Sequence, residues 1–196
     1  MYKRQVEGSC DLLIAYHHPS QPLQLDANKY EMVSLGQETV APWVKADAEG
    51  VPRYRLPGRP GQPLPYLGYA PGAYLGRVVD QLLKESHTAI HLDRVYETDM
   101  AEGLKVMALE GHGIAFLPQS AVRKEVRART LVSALPSEIE KLEATMEIRA
   151  YRERPAAAAQ ARPGARAGKS EGATSRAHKG TADALWAYLV GTQPAT

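Results

Sequence analysis

From Leu64 to Pro118 the chain alternates strand-like and helix-like patterns in the order β-α-β-α-β, and this alternation limits the possible fold more than any other feature. "LPYLGY" at 64–69 is an apolar run of strand length. After "APGA", residues Leu75, Val78, Val79, Leu82 and Leu83 recur at helical spacing across Tyr74–Glu85. Ala89–Glu97 is strand-like, and Thr98–Gly111 reads as the next helix, with Thr98 or Asp99 as N-cap, Glu102 just inside and Gly111 as its stop. "IAFLP" at 114–118 completes the series as a short buried strand. Such an order implies right-handed crossovers and parallel pairing, hence an α/β fold.

The flanks are consistent with that class. "DLLIAY" at 11–16 is continuously apolar, as expected for a strand buried on both faces of a mainly parallel sheet. "YEMVSLG" at 30–36 alternates and reads as a second strand, nearer an edge, and the following "ETVAPWVKAD" is interrupted by Pro42. Proline and glycine dominate Glu49–Pro65, a crossing loop or linker. "SAVRKEVRART" is amphipathic and basic, "LVSAL" is a possible strand, and Glu143–Arg154 alternates Met146, Ile148 and Ala150 as a strand does. Residues 155–180 carry no large apolar group and read as a disordered insert, a solvated loop rather than a DNA contact. A last helix starts at Thr181 as N-cap and docks through Leu185, Trp186 and Leu189.

Bulk properties then exclude whole function classes. The chain has 196 residues, 44% of them hydrophobic, enough for one globular unit or two small lobes. With 24 basic and 22 acidic residues the net charge is +2, so no global field draws nucleic acid to the whole surface. Cys10 is the only cysteine, which excludes an intramolecular disulfide and a cysteine-rich metal site and makes a reducing cytoplasm the expected compartment. The apolar run after Cys10 is too short for a signal-peptide core or a membrane span. Met1–Gln5 enter as if in the middle of an element, so a truncated start is expected, with an exposed sheet edge and marginal solubility as its consequence.

The chemistry-bearing residues are few. Gly111-His112-Gly113 lacks the G-x-G-x-x-G spacing and lies after a helix and before a strand, the reverse of a dinucleotide cradle. Its glycines fit a helix stop and a close backbone approach instead. His17 and His18 sit at the carboxyl end of a strand, where open α/β sheets gather ligand-binding groups, or form a polar strand-end pair. His87, His91 and His112 stand at no ligand spacing with them, so neither a metal nor another cofactor is expected. No G-x-S-x-G elbow, Walker loop or H-E-x-x-H motif occurs, and Cys10 has no obvious histidine partner, so no enzyme is expected. Met107 falls on an apolar stripe with Leu104, whereas Met100 directly follows a strand end and can face a cleft as an oxidisable thioether.

"VEGSCDLLIAY", the proline-rich crossing, "LPYLGY" and above all "LKVMALEGHGIAFLPQSAV" resemble the effector-binding domain of LysR-type transcriptional regulators. The residues that carry the likeness best are Glu110, Gly111, Gly113, Ile114, Ala115, Leu117 and Pro118. "DLLIAYHHP", "YRERP" and "DALWAYL" look most like the hypochlorite-responsive subgroup. The likeness covers roughly 6–154 and 181–190 and lacks the family's N-terminal winged helix-turn-helix and the first elements of the first sub-domain.

The resemblance implies a two-lobed periplasmic-binding-protein-like fold with central mainly parallel sheets and an incomplete first lobe. Residues 6–62 plus 132–196 would form that lobe, and 63–131 the second. It also implies a small-molecule effector or oxidant at Tyr16, His17 and His18 on one side and Tyr69, Ala70 and Pro71 on the other, with Thr98 and Met100 at the matching strand-helix junction. Met100 is the expected oxidant sensor. The expected partners are a second copy of the chain through effector domains, and DNA only through the missing winged helix-turn-helix, with no membrane. A transporter's solute-binding protein shares the fold and is the alternative.

Overall fold

The computed structural model describes residues 10–137, 139, 142–154 and 173–192. The strands are β1 (Leu13–His17), β2 (Tyr30–Lys45), β3 (Leu64–Tyr69), β4 (Leu92–Thr98), β5 (Ile114–Pro118), β6 (Leu131–Ser133) and β7 (Ala144–Glu153). The helices are α1 (Tyr74–Glu85), α2 (Ala101–Leu109), α3 (Gln119–Arg127) and α4 (Ala173–Gly191). Two compact units emerge: 1–17, 22–37 and 147–196 form the first, and 18–21 with 38–146 form the second. The expected boundaries near 62 and 131 differ from these because residues 40–45 of β2 pair with β5 and β6, which ties 38–62 to the second unit.

In the second unit the strand order is β2-β5-β3-β4, with β6 on the other side of β2. β3 pairs in parallel with β4 and with β5, as the β-α-β-α-β alternation requires. β2 is antiparallel to both β5 and β6, so the sheet is mixed. Pro42 does not interrupt β2 as its missing N–H suggested. It pairs with Phe116 and its carbonyl accepts the Ala134 amide at 3.0 Å, so the strand runs 16 residues.

β5 is buried throughout, as a strand flanked on both sides and covered by helices must be. Leu67, Val78, Val79, Leu104, Phe116, Leu117 and Val122 are fully buried around it. The edge of Phe116 meets the Tyr66 ring at 6.2 Å and 83°, a favourable aromatic geometry. Glu38 is buried too, and its Oε1 accepts the Thr39 amide at 3.0 Å and the Ser120 amide at 3.3 Å. A carboxylate from β2 thus serves the first turn of α3, whose own N-cap, Pro118, supplies no side-chain acceptor.

Burial pushes the Tyr66 phenol up to about 12, against a smaller opposing pull from Arg94, whose guanidinium lies 5.5 Å from the ring centre. The phenol stays neutral in the folded chain after it would ionise in the unfolded one. Its contribution to stability is therefore intact below about pH 10 and is lost as pH rises towards 12. Alkaline unfolding should be steepest in that interval, and Tyr66→Phe should flatten it by roughly 2–3 kcal/mol. Urea titrations between about pH 9 and 12, with phenolate absorbance read in parallel, check this.

In the first unit β1 pairs antiparallel with β7 and, among the described residues, with no second strand. The expectation of a strand buried on both faces is not met among the described residues: Leu13 is buried but Ile14, on the opposite face, is 51% exposed. α4 begins at Ala173, so Thr181 lies inside the helix rather than capping it, and the expected insert is helical from 173 onward. Its part from 155 to 172 lies outside the described residues. Trp186 and Leu189 pack with Val33 and Ala150, while Leu185 remains largely exposed. Arg152 stands 4.7 Å over the Trp186 ring and pairs with Glu31 and Asp183, joining β7, β2 and α4.

Candidate functional site

The carboxyl ends of β3 and β4 bring four of the expected residues together. Tyr69 lies opposite Thr98 in the parallel register, and the Ala70 amide donates to the Thr98 carbonyl at 2.9 Å. Pro71 follows at the exposed turn before α1. The Met100 amide donates to Thr98 Oγ1 at 3.3 Å, which puts the methionine at the start of α2. Met100, not Thr98 or Asp99, is the N-cap, because Thr98 is still the last residue of β4 and spends its hydroxyl on the turn.

Small residues let both helices approach these strand ends. A Cβ on Gly76 would stand 3.0 Å from Tyr69 Cβ, and one on Gly103 would stand 3.2 Å from Thr98 Cγ2. Neither α1 nor α2 has a side-chain N-cap, since Ala73 and Met100 offer no acceptor. Their first-turn amides therefore point at this face without a local side-chain partner. Tyr69 is almost wholly buried, whereas Met100 is 62% exposed, the most open of the four.

His18 also belongs to the second unit. Its backbone N–H donates to the Tyr74 hydroxyl at 2.7 Å, in the first turn of α1. Tyr74 in turn donates to the Gln21 carbonyl at 3.3 Å, and Arg77 Nε donates to Gln21 Oε1 at 2.9 Å. Sequence reasoning missed Tyr74, Arg77, Ser20 and Gln21. The available signal was a tyrosine and an arginine three apart on α1, off the apolar stripe that Val78 and Val79 define.

Tyr16 and His17 lie on β1 in the first unit, both partly buried, opposite Ile148 and Glu147. The Glu147 carboxyl is held below the usual carboxylate range, chiefly by the hydrogen bond from Arg149 Nε at 2.7 Å, with the charge of His17 adding to it. His87, His91 and His112 take no part in either group, and among the described residues no three His, Cys, Asp or Glu side chains gather as a metal site would require. Among the described residues no helix is long and apolar enough to cross a membrane.

Gly111 and Gly113 have the structural use expected of them. Gly111 takes φ +83° and its amide bonds to the Ala108 carbonyl while that of His112 bonds to Met107, closing α2 in a Schellman motif. A Cβ on Gly113 would lie 2.6 Å from the Pro65 carbonyl oxygen, so only glycine lets β5 start this close to β3.

The geometry agrees with comparisons to known proteins. The family model of the LysR substrate binding domain matches residues 2–162. The HTH-type transcriptional regulator YjiE of Escherichia coli K12 is 30% identical over 127 residues, covering 64% of this chain and 39% of that protein. The HTH domain-truncated regulator QseD of Escherichia coli O157:H7 is 30% identical over 127 residues and 49% of its length. The chain thus spans less than half of either relative. The regulatory domain of HypT from Salmonella typhimurium aligns with 97% of this chain and 76% of that domain, at a TM-score of 0.70 and 25% identity. Full-length HypT, described as a hypochlorite-specific LysR-type transcriptional regulator, gives the same score and identity over 98% of this chain and 55% of that one. With its family model matched over most of its length and its periplasmic-binding-protein-like α/β fold, the chain belongs to the LysR substrate-binding domain family.

Proposed function

We propose that the chain is the sensing part of a LysR-type DNA-binding transcriptional regulator and that it responds to hypochlorite or a related oxidant at Met100. The observation that carries this reading is the 62% exposed thioether at the N-cap of α2, beside Thr98, Tyr69 and Ala70 at the strand ends. The likeness to HypT, itself described as hypochlorite-specific, supports the choice of oxidant. In the step, the thioether takes oxygen from hypochlorous acid to give the sulfoxide, and chloride and a proton leave. A polar acceptor then replaces an apolar group beside first-turn amides that have no side-chain cap.

Within the second unit His18, Tyr69, Ala70, Pro71 and Thr98 supply the remaining surface for a small effector. The new polarity shifts the balance between conformations of the domain, and a second copy of the chain feels that shift through effector domains. DNA is contacted by a winged helix-turn-helix segment elsewhere in the regulator, which places the work in the cytoplasm. The reading requires no turnover.

Substoichiometric hypochlorite followed by peptide mass spectrometry should oxidise Met100 before Met107 and Met146, which are partly and fully buried, and before Met32, which is 47% exposed. Met100→Leu should remove the oxidant-induced change in amide exchange over Ala101–Leu109. If Met100 stays reduced while Met32 or Met107 oxidises, or if the leucine variant responds as before, the sensor is elsewhere.

A further inference from the structure

We propose that the outer face of α3 is a second, sequence-independent contact for the DNA backbone, made by Arg123, Lys124, Arg127 and Arg129. All four are exposed, and among the described residues no carboxylate pairs with any of them. At about 100° per residue Arg123, Lys124 and Arg127 fall within one arc of about 100°, and Ser120 is the only other residue of α3 inside it. The one carboxylate of the helix lies outside that arc: Glu125 Oε1 stands 3.6 Å from Lys105 Nζ of α2, which also pairs with Glu102 at 2.7 Å and donates to the Ala121 carbonyl at 3.1 Å. α3 thus turns its negative charge inward and its positive charges outward. In a chain whose total charge is only +2, this is a local concentration rather than a share of a general excess.

The backbone carries a second, independent sign. α3 ends in a Schellman motif, in which the Arg129 amide donates to the Val126 carbonyl at 3.1 Å and the Thr130 amide to the Glu125 carbonyl at 3.0 Å. The residue at the left-handed position of this motif is usually glycine, which has no Cβ to strain. Here it is Arg129 at φ 55°, the only non-glycine residue with positive φ among the described residues. Glycine would close the same motif with less strain, so the arginine is explained by its side chain. It carries the row of cations one step past the helix end.

Duplex DNA fits this face better than an acidic protein does. Arg123 and Arg127 are about one turn apart, a separation that two long side chains can match to successive phosphates of one strand. Arginine at three of the four positions suits phosphate, which it binds through two parallel N–H···O bonds. The arc holds no apolar or aromatic side chain, so it offers neither the buried anchor that a protein partner needs nor a platform for bases, and the contact stays on phosphates. Four such contacts are weak alone. In the regulator proposed above a separate DNA-binding segment keeps the chain near a duplex, and a weak contact then acts at high local concentration. That gain rests on the proposed function, whereas the binding itself needs neither the other segment nor oxidation of Met100: a failed oxidation test leaves it standing.

Fluorescence anisotropy of a labelled random-sequence DNA duplex, titrated with the whole chain at a series of NaCl concentrations, tests the face. In a plot of log affinity against log salt, these four cations should contribute a slope of about −3 to −4. Arg123→Gln with Arg127→Gln, both at exposed helix positions that glutamine tolerates well, should flatten the slope by about two units, whereas the corresponding lysine pair should keep it. Arg129→Gly should flatten it by about one unit with no fall in the thermal melt, because it removes charge and backbone strain together. Arg59→Gln, which removes an exposed cation outside α3, should leave the slope unchanged. The proposal is overturned if the glutamine pair keeps the wild-type slope, or if Arg59→Gln loses as much as one arginine of the pair. It is also overturned if polyglutamate binds more tightly than the duplex at the same salt, which would make the face a contact for an acidic protein.

Discussion

Replacing Gly113 with alanine is expected to destabilise the second unit by about 3 kcal/mol, roughly twice the cost of the same change at Gly111. At Gly113 the added carbon would lie 2.6 Å from the Pro65 carbonyl oxygen and 3.0 Å from its carbon, both backbone atoms in β3. Relief requires β5 to move away from β3, and Tyr66↔Ile114 and Leu67↔Ala115 are the register pairs that join those strands. The shift would disturb Leu67, Ile114 and Phe116, all of them fully buried. At Gly111 the nearest atoms are Arg53 Nη1 at 2.8 Å and Lys45 Cδ at 3.1 Å, the mobile ends of long side chains. What remains there is the strain of a left-handed φ of +83° on a residue with a Cβ. Denaturation read through Trp43, in a background where Trp186 is phenylalanine, gives both values. Equal costs at the two glycines would show that the contact between β5 and β3 is softer than the geometry indicates.

Trp186→Ala should cost the first unit about 3–5 kcal/mol and free α4. Trp186 is the one large aromatic in the cluster with Val33 and Ala150, and its ring also carries the Arg152 guanidinium at 4.7 Å. Truncation leaves a cavity on the sheet and removes the ring under a cation that then holds only its links to Glu31 and Asp183. Amide exchange should rise over residues 180–192 to that of an unfolded segment, while Ile114–Pro118 keep their protection. A loss below about 1 kcal/mol would mean that α4 is held by Leu189 and the ion pairs instead.

These two sites mark how much of the fold could be read in advance. Gly113 was identified from the order of its surroundings, a helix before it and a strand after it, which excluded a phosphate cradle and left a close approach. Trp186 was placed in a docking helix by its spacing from Leu189, yet that helix begins eight residues earlier than Thr181, in a stretch too poor in apolar residues to show a helical stripe. Pro42 misled for a related reason. A proline removes one donor, and whether β2 can spare it depends on which neighbours face that atom.

The candidate site divides in the same way. Tyr69, Ala70, Thr98 and Met100 were found because strand ends followed by helix starts are visible in one dimension, and parallel pairing places them side by side. Tyr74 and Arg77 were missed because their partners, His18 and Gln21, lie more than 50 residues away along the chain. Glu38 was missed likewise, since its acceptor role depends on the Ser120 amide 82 residues later.

By itself the sequence determined the α/β class, the alternating core from Leu64 to Pro118, the helix stop at Gly111 and the family. Each of these rests on periodicity or on the conformational freedom of single residues, which neighbouring positions already encode. Only the tertiary structure decided that β2 runs antiparallel to β5 and β6, that β7 runs antiparallel to β1, and that His18–Gln21 is fastened to α1. Pairing direction and long-range hydrogen bonds depend on which atoms meet in space, and no local pattern of apolar and polar residues records that.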